Sequence, residues 1–339
     1  MIEFVFTVDY EIYGNGEGSL RELVYLPSEQ LRSTFLRHNA RFVVFAEVAQ
    51  LEMIEAFRSD PDIESTKSQL REFRAAGFEL GLHIHPWWYG ARHEAGKWTL
   101  NYDAYNLCTQ PEERIDEIIE RSIGYLRGFL DEPDFTPISF RAGHLLFQPT
   151  KPLSRILVEK GIKLDSSFYR GGLWHQHKLD YRKSPKNEPY WRFGEDITVS
   201  DPGGALLEIP IYTQMAPIWK LFTSKRIGLQ QSGLTAGQTG KKIVNRFCDI
   251  ARPLYPRKFD IGQMTRSEID QMVGRVFRSD KKDPSRFRPI VVIMHTKDPI
   301  DFAGIDCLLD LLEGARVEVS TFAEVYGKIR GLSKSERGH

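Results

Sequence analysis

The sequence has little cysteine and no net charge. Cys108, Cys248 and Cys307 are its only cysteines, odd in number and widely separated. That excludes a disulfide framework and a cysteine-type zinc site, and predicts buried free thiols in a reducing compartment. Lys+Arg and Asp+Glu both total 46, so the basic excess of a dedicated nucleic-acid binder is missing. No apolar run reaches the roughly 18 residues needed to span a bilayer, and no basic leader with a small-residue cleavage site opens the chain. The expectation is a cytoplasmic protein with no transmembrane segment and no nucleic-acid partner. Internal repeats and low-complexity tracts are absent too.

What is present is an ordinary globular composition. Of 339 residues, 41% are hydrophobic and 27% charged, which suffices for a sizeable core. Segments of strand character and of helical spacing alternate. Strands are expected at 2–8, 41–47, 78–83, 137–141 and 162–164. Helices are expected at 28–37, 65–76 (with Gly77 as C-cap), 112–130 and 153–160. The pattern breaks at about 168–260, where 206–212 is the one expected strand. It resumes with a helix at 266–277, a strand at 289–294, a helix at 305–312, a strand at 316–320 and a helix at 322–329. Such alternation implies a parallel sheet or barrel. The expected organisation is one α/β domain over 1–330 carrying an insertion at about 168–260, then a flexible tail at 331–339.

The second half of the insertion is basic. Between residues 214 and 258 stand Lys220, Lys225, Arg226, Lys241, Lys242, Arg246, Arg252, Arg257 and Lys258, against the single acid Asp249. This is either a solvated basic face or a dock for an anionic partner. Such a partner would be a phosphate-bearing substrate, or a membrane surface touched by Trp219, Leu221 and Phe222.

Residues capable of chemistry follow the expected strands: Asp9-Tyr10-Glu11, His83-Ile84-His85-Pro86-Trp87-Trp88, Arg141-Ala142-Gly143-His144, Asp165-Ser166-Ser167 and His295-Thr296-Lys297-Asp298. In a parallel barrel these all project at one rim, where such barrels place their active sites. Carboxylates with two neighbouring histidines are a ligand set for Zn²⁺ or a similar divalent ion. His83 and His85 point to one side if the backbone stays extended. Asp9 or Glu11 can serve as base and His295 as acid. Arg141 can hold a carboxylate, and Asp165 can orient His295. The chemistry implied is metal-assisted hydrolysis of an amide or ester.

These residues carry a resemblance. Thr7-Val8-Asp9-Tyr10-Glu11, the stretch from Glu79 through His83 and His85 to Trp87, Phe140-Arg141-Ala142-Gly143-His144, Leu164-Asp165-Ser166-Ser167 and Ile293-Met294-His295 come in the order of the five motifs of the polysaccharide deacetylases. The chain resembles a divergent member of that family, whose NodB-homology fold is an irregular seven-stranded (β/α) barrel. The resemblance implies Asp9 as base, Glu11 as metal-binding acid and His83 as metal ligand. It further implies Arg141 as partner of the base, Asp165 as the residue tuning the acid, and His295 as that acid.

Two departures stand out. The usual adjacent aspartates are separated here by Tyr10, the second acid being Glu11. The position usually held by the second histidine is Trp87. His85 is its substitute in the expected ligand set, with His93, His175 and His177 as outside candidates. The implied cofactor is a divalent metal, zinc before cobalt, nickel or manganese.

Trp87, Trp88 and Trp174, with Tyr10 and His144 beside the chemistry, are the candidates for substrate contact, since sugar rings stack on indoles; ordinary burial is the competing reading. The expected activity is removal of an N-acetyl, or less readily O-acetyl, group from a sugar or polysaccharide precursor, nucleotide-linked or lipid-linked. The rivals are a non-catalytic carbohydrate-binding protein on the same barrel, or a deformylase or cyclic-amide hydrolase.

Overall fold

The computed structural model describes residues 1–185, 188–217 and 253–335. Its frame is a set of seven parallel strands: β1 (Ile2–Tyr10), β2 (Val43–Glu47), β3 (Glu79–Ile84), β4 (Ser139–Ala142), β5 (Leu164–Asp165), β6 (Leu206–Glu208) and β7 (Arg288–His295). Their order is β6-β5-β4-β3-β2-β1-β7. An antiparallel strand, Trp191–Phe193, adds to the outside of β6. Beyond β6 the chain runs on to β7. There Ile211 bridges Val291 in parallel, and the Tyr212 N–H donates to Val291 O at 3.0 Å. This contact brings the two ends of the sheet together and curls it into an irregular barrel.

The period of two along each strand sorts residues into two cores. On β1, Phe4, Phe6, Val8 and Tyr10 pack outward in the larger core, against helix residues such as Phe35 and Phe73. Val5 packs inward with Val43, Phe45, Leu164, Leu207, Val291 and Ile293. Gly81 lies on the inner side of β3, where a Cβ would stand 2.6 Å from the Phe45 ring and 2.7 Å from Ser139 Oγ. Its missing side chain is what lets the Phe45 ring fill the barrel.

Around the strands lie α1 (Leu26–Arg37), α2 (Val48–Phe57), α3 (Ile63–Ala75), α4 (Glu112–Leu130), α5 (Leu153–Glu159), α6 (Arg266–Lys282), α7 (Phe302–Gly314) and α8 (Phe322–Ser335). Gly77, at φ +84, ends α3 as expected. Its N–H reaches Arg74 O and that of Phe78 reaches Phe73 O, a closing pair that turns the chain into β3.

Several expectations change. α2 was not anticipated; it starts directly at the end of β2, with the Glu47 side chain capping it by accepting from the Gln50 N–H. The segment expected to interrupt the barrel supplies its sixth strand, and farther on Thr213–Pro217 pairs with Leu254–Lys258. Glu318–Val319 pairs beside the start of β1 rather than within the barrel. α8 runs to Ser335, so residues 331–335 of the expected tail are helical, and the rest of it, 336–339, lies outside the described residues. Cys108 is buried as expected but Cys307 is exposed. Cys248, Trp219, Leu221, Phe222 and the basic residues from Lys220 to Arg252 lie outside the described residues. Arg257 pairs with Glu268 at 3.0 Å, and Lys258 stands over the Tyr169 ring. Among the described residues no helix is long and apolar enough to cross a membrane.

Candidate active site

Five barrel strands end on an inward-facing ionisable residue, Asp9, Glu47, His83, Arg141 and His295, whereas Asp165 and Glu208 follow the inward Leu164 and Leu207 and take the opposite parity. All but His295 are buried. Charged groups are buried at low cost only when paired and hydrogen-bonded, and the inward-facing ends of β1, β3, β4 and β7, with Glu11 and His85, gather into two groups.

The first group is Asp9, Arg141 and His295. Arg141 Nη1 donates to Asp9 Oδ1 at 2.6 Å and its Nε donates to Ser166 O at 3.0 Å, with the guanidinium over the Phe45 ring. The other oxygen, Asp9 Oδ2, is 3.4 Å from His295 Nε2. Burial alone would raise the Asp9 pKa, but Arg141, then His83 and His295, more than reverse this and hold it below the ordinary value. His295 moves the other way. Burial disfavours its cation, yet Asp298, Asp260 and Asp9 outweigh that and push its pKa up to about 9. Asp298 Oδ2 is 3.4 Å from His295 Nδ1 and accepts from Gln263 Nε2 at 3.0 Å.

The expectation that Asp165 orients His295 is corrected here. Asp165 accepts from the Ser167 N–H at 2.9 Å and from Ser167 Oγ at 2.7 Å, and β5 and β6 place it beside Glu208. Burial raises the pKa of Asp165 to about 6 and that of Glu208 well above the carboxylate range. This pair buttresses the Ser166–Ser167 turn that receives Arg141. The carboxylates facing His295 are Asp9, Asp298 and Asp260.

The second group is Glu11, His83 and His85. Extended backbone persists past the end of β3 to His85 (φ −104, ψ 102), so both imidazoles reach the inner side. His83 Nδ1 donates to Arg141 O at 2.8 Å, a bond that fixes its tautomer and leaves the Nε2 lone pair free. Glu11 Oε2 lies 3.9 Å from His83 Nε2 and 3.4 Å from His85 Nδ1. One ligand atom from each residue lies within 4.8 Å of the others. Among the described residues, Glu11 Oε2 and His85 Nδ1 are buried without a hydrogen-bond partner. Burial, then His83 and Lys297, hold the His85 pKa well below its usual value, so its ring is neutral, as a ligand must be. These residues fit a divalent ion of the zinc class: one carboxylate oxygen and two imidazole nitrogens converging, with their unpaired atoms aimed together. The His85 N–H donates to Glu47 Oε1 at 2.6 Å, which locks the ligand segment to β2.

Among the described residues, none of the outside candidates His93, His175 and His177 joins a group of converging ligand atoms: His93 packs against Phe57 and Trp98, and His177 stacks on Tyr105.

The residues expected at the substrate divide. Tyr10 has even parity on β1; its ring faces the helices and its hydroxyl donates to Gln69 Oε1 at 2.6 Å, so it does not reach the site. Trp87 and Trp88 are buried and present no open face. Trp87 backs His85 at 4.5 Å, and Trp88 meets Trp98 edge-on. His144 is exposed, 4.9 Å from the His85 ring, and lies flat against Tyr105. Half-buried Trp174 meets both Tyr105 and His144 edge to face. Tyr105, Glu47, Glu208 and Asp260 were not singled out in the sequence. For Glu47 the available signal was an acid at inward parity within an apolar strand.

A pH dependence follows from His295. Its pKa is raised on folding, so its contribution is complete below the unfolded value near 6.5 and is lost as pH rises through about 9. Chelator-treated protein is expected to lose on the order of 2 kcal/mol of urea stability between pH 7 and 10. His295→Gln should flatten that slope, and an unchanged slope would refute the assignment.

No family model matches the chain, and neither does any curated protein. Solved structures do match. One is a Mycobacterium smegmatis protein assigned as a polysaccharide deacetylase (TM-score 0.57, 13% identity, covering 98% of this chain and 91% of that one). A Pseudomonas aeruginosa PAO1 protein with the same assignment has a TM-score of 0.53 at 14% identity, covering 96% and 89%. Puue allantoinase has 0.52 at 12%, covering 96% and 88%. The chain thus has the fold of the polysaccharide deacetylases, at a sequence distance where its own site residues must carry the functional argument.

Proposed function

We propose that the protein is a metal-dependent hydrolase that removes an N-acetyl, or less readily an O-acetyl, group from a sugar. The observation that carries this is the convergence of Glu11, His83 and His85 beside a base–acid pair, Asp9 and His295, at one barrel rim. The ion, zinc first among the candidates, would polarise the acyl carbonyl and make water more acidic. Arg141 fixes Asp9 through one oxygen, leaving Oδ2 to take the proton of the attacking water. His295, held protonated by its three carboxylates, gives a proton to the leaving nitrogen. The 3.4 Å contact between Asp9 Oδ2 and His295 Nε2 then returns the water's proton to His295 and resets the pair.

The Glu11 N–H is engaged by Thr296 Oγ1 at 3.3 Å and is not available to hold the oxyanion. His144, held flat against Tyr105, and half-buried Trp174 are the accessible rings beside the ligands and suit the apolar face of a sugar ring. The basic stretch through Lys241, Lys242 and Arg246 favours a phosphate-bearing, nucleotide-linked or lipid-linked form of that sugar.

The test is acetate release from a panel of N-acetylated amino sugars, free and nucleotide-linked, with and without added zinc or cobalt. Metal-dependent release supports the reading. Sugar binding with neither hydrolysis nor metal would make the protein a carbohydrate binder. Turnover of a cyclic amide alone would make the protein a cyclic-amide hydrolase instead.

A further inference from the structure

We infer that Lys297 is a built-in cation that holds one oxygen of Glu11 and keeps metal binding weaker than the ligand set alone would make it. This rests on the reading that Glu11, His83 and His85 hold the ion.

The ammonium lies 2.6 Å from Glu11 Oε1, while Oε2 is the oxygen that faces the two imidazoles. The carboxylate is thereby divided: one oxygen belongs to Lys297 and the other is left for an ion.

Backbone contacts hold the lysine in this position. The Thr296 N–H donates to Asp9 O at 3.1 Å, and Thr296 Oγ1 donates to Glu11 O at 3.1 Å. Asp298 N–H closes the turn on His295 O at 3.2 Å. The segment bearing Lys297 is therefore pinned to the end of β1, and its side chain is only 19% exposed.

Charge then sets the direction of the effect. As ligands the two imidazoles bring no charge and the Glu11 carboxylate brings one negative charge, which Lys297 cancels before any ion arrives. Partners behind a metal ligand commonly make it more basic; a cation on the ligand does the reverse. A divalent ion entering here meets a neutral cluster with an ammonium one carboxylate away, and in a partly buried site that repulsion is poorly screened. In return, Glu11 offers one oxygen only, which favours an open position on the ion for the reaction.

The test is the zinc and cobalt affinity of chelator-stripped protein, measured by competition with a chromophoric chelator; it needs no substrate. Lys297→Met, with Lys297→Gln as a second variant should the first fold poorly, is expected to bind about tenfold more tightly or better. Lys297→Arg keeps the charge and should stay within about threefold of the parent. Glu11→Gln and His85→Ala report on the triad and should each lose at least about tenfold.

Equal or weaker binding in both neutral variants, with the triad variants still impaired, would overturn the role of Lys297 and leave the metal site standing. Binding indifferent to Glu11→Gln and His85→Ala, or no binding in any form, would overturn the metal site and this inference with it.

Discussion

Asp9→Asn is expected to lower turnover about a thousandfold or more while the bound metal stays at the parent level. The size is that of losing a positioned general base. The substitution keeps the shape of the side chain and an oxygen that can accept from Arg141 Nη1, a bond now 2.6 Å long. It removes the carboxylate that would take the water proton and that faces His295 at 3.4 Å. Glu11, His83 and His85 keep their own contacts, with His83 fixed by Arg141 O and His85 by Glu47. Initial rates of acetate release, paired with elemental analysis of the same samples, separate the two quantities. Undiminished turnover would remove Asp9 from the chemistry, and loss of metal would place it among the ligands instead.

Arg141→Met is the second large effect, on stability. Arg141 is fully buried, and its removal leaves the Asp9 carboxylate buried without its main partner. The Ser166 carbonyl and the Phe45 ring lose their contacts as well. Breaking one side of a buried pair costs about 3–5 kcal/mol. Because Arg141 depresses the Asp9 pKa, the parent's advantage is present above the unfolded carboxylate value and shrinks as pH falls through the folded one. Urea unfolding at pH 7 should show the full loss, and the double variant Asp9→Asn/Arg141→Met should regain part of it. A loss below about 1 kcal/mol would mean that Asp9 is not the charge that Arg141 supports.

Much of this was legible in the sequence because one rule, the period of two, served both fold and site. Asp9 and Glu11 share a parity, as do His83 and His85, and extended backbone turns that spacing into convergence. The same rule excludes Tyr10, whose even position sends it to the helices. Other features were not legible because they depend on distant segments. Asp165 follows the motif order, yet its partners are Ser167 and Glu208. His295 instead draws its carboxylates from its own following turn, at Asp298, and from Asp260 on another segment. Trp87 and Trp88 could be read as substrate contacts or as buried rings, and the short helical turn Pro86–Gly90 decides for burial, behind His85. β6 was expected as a strand, at 206–212, but its place in the barrel was not legible, since three residues between irregular segments carry too little periodicity to say which sheet they join.

The most direct test of the central claim is elemental analysis of untagged protein beside His85→Ala. The account predicts close to one zinc-class ion per chain in the parent after loading, and loss of most of it in the variant, together with loss of acetate release. A parent that takes up no ion even with excess zinc or cobalt, or a variant that holds its ion undiminished, would contradict it.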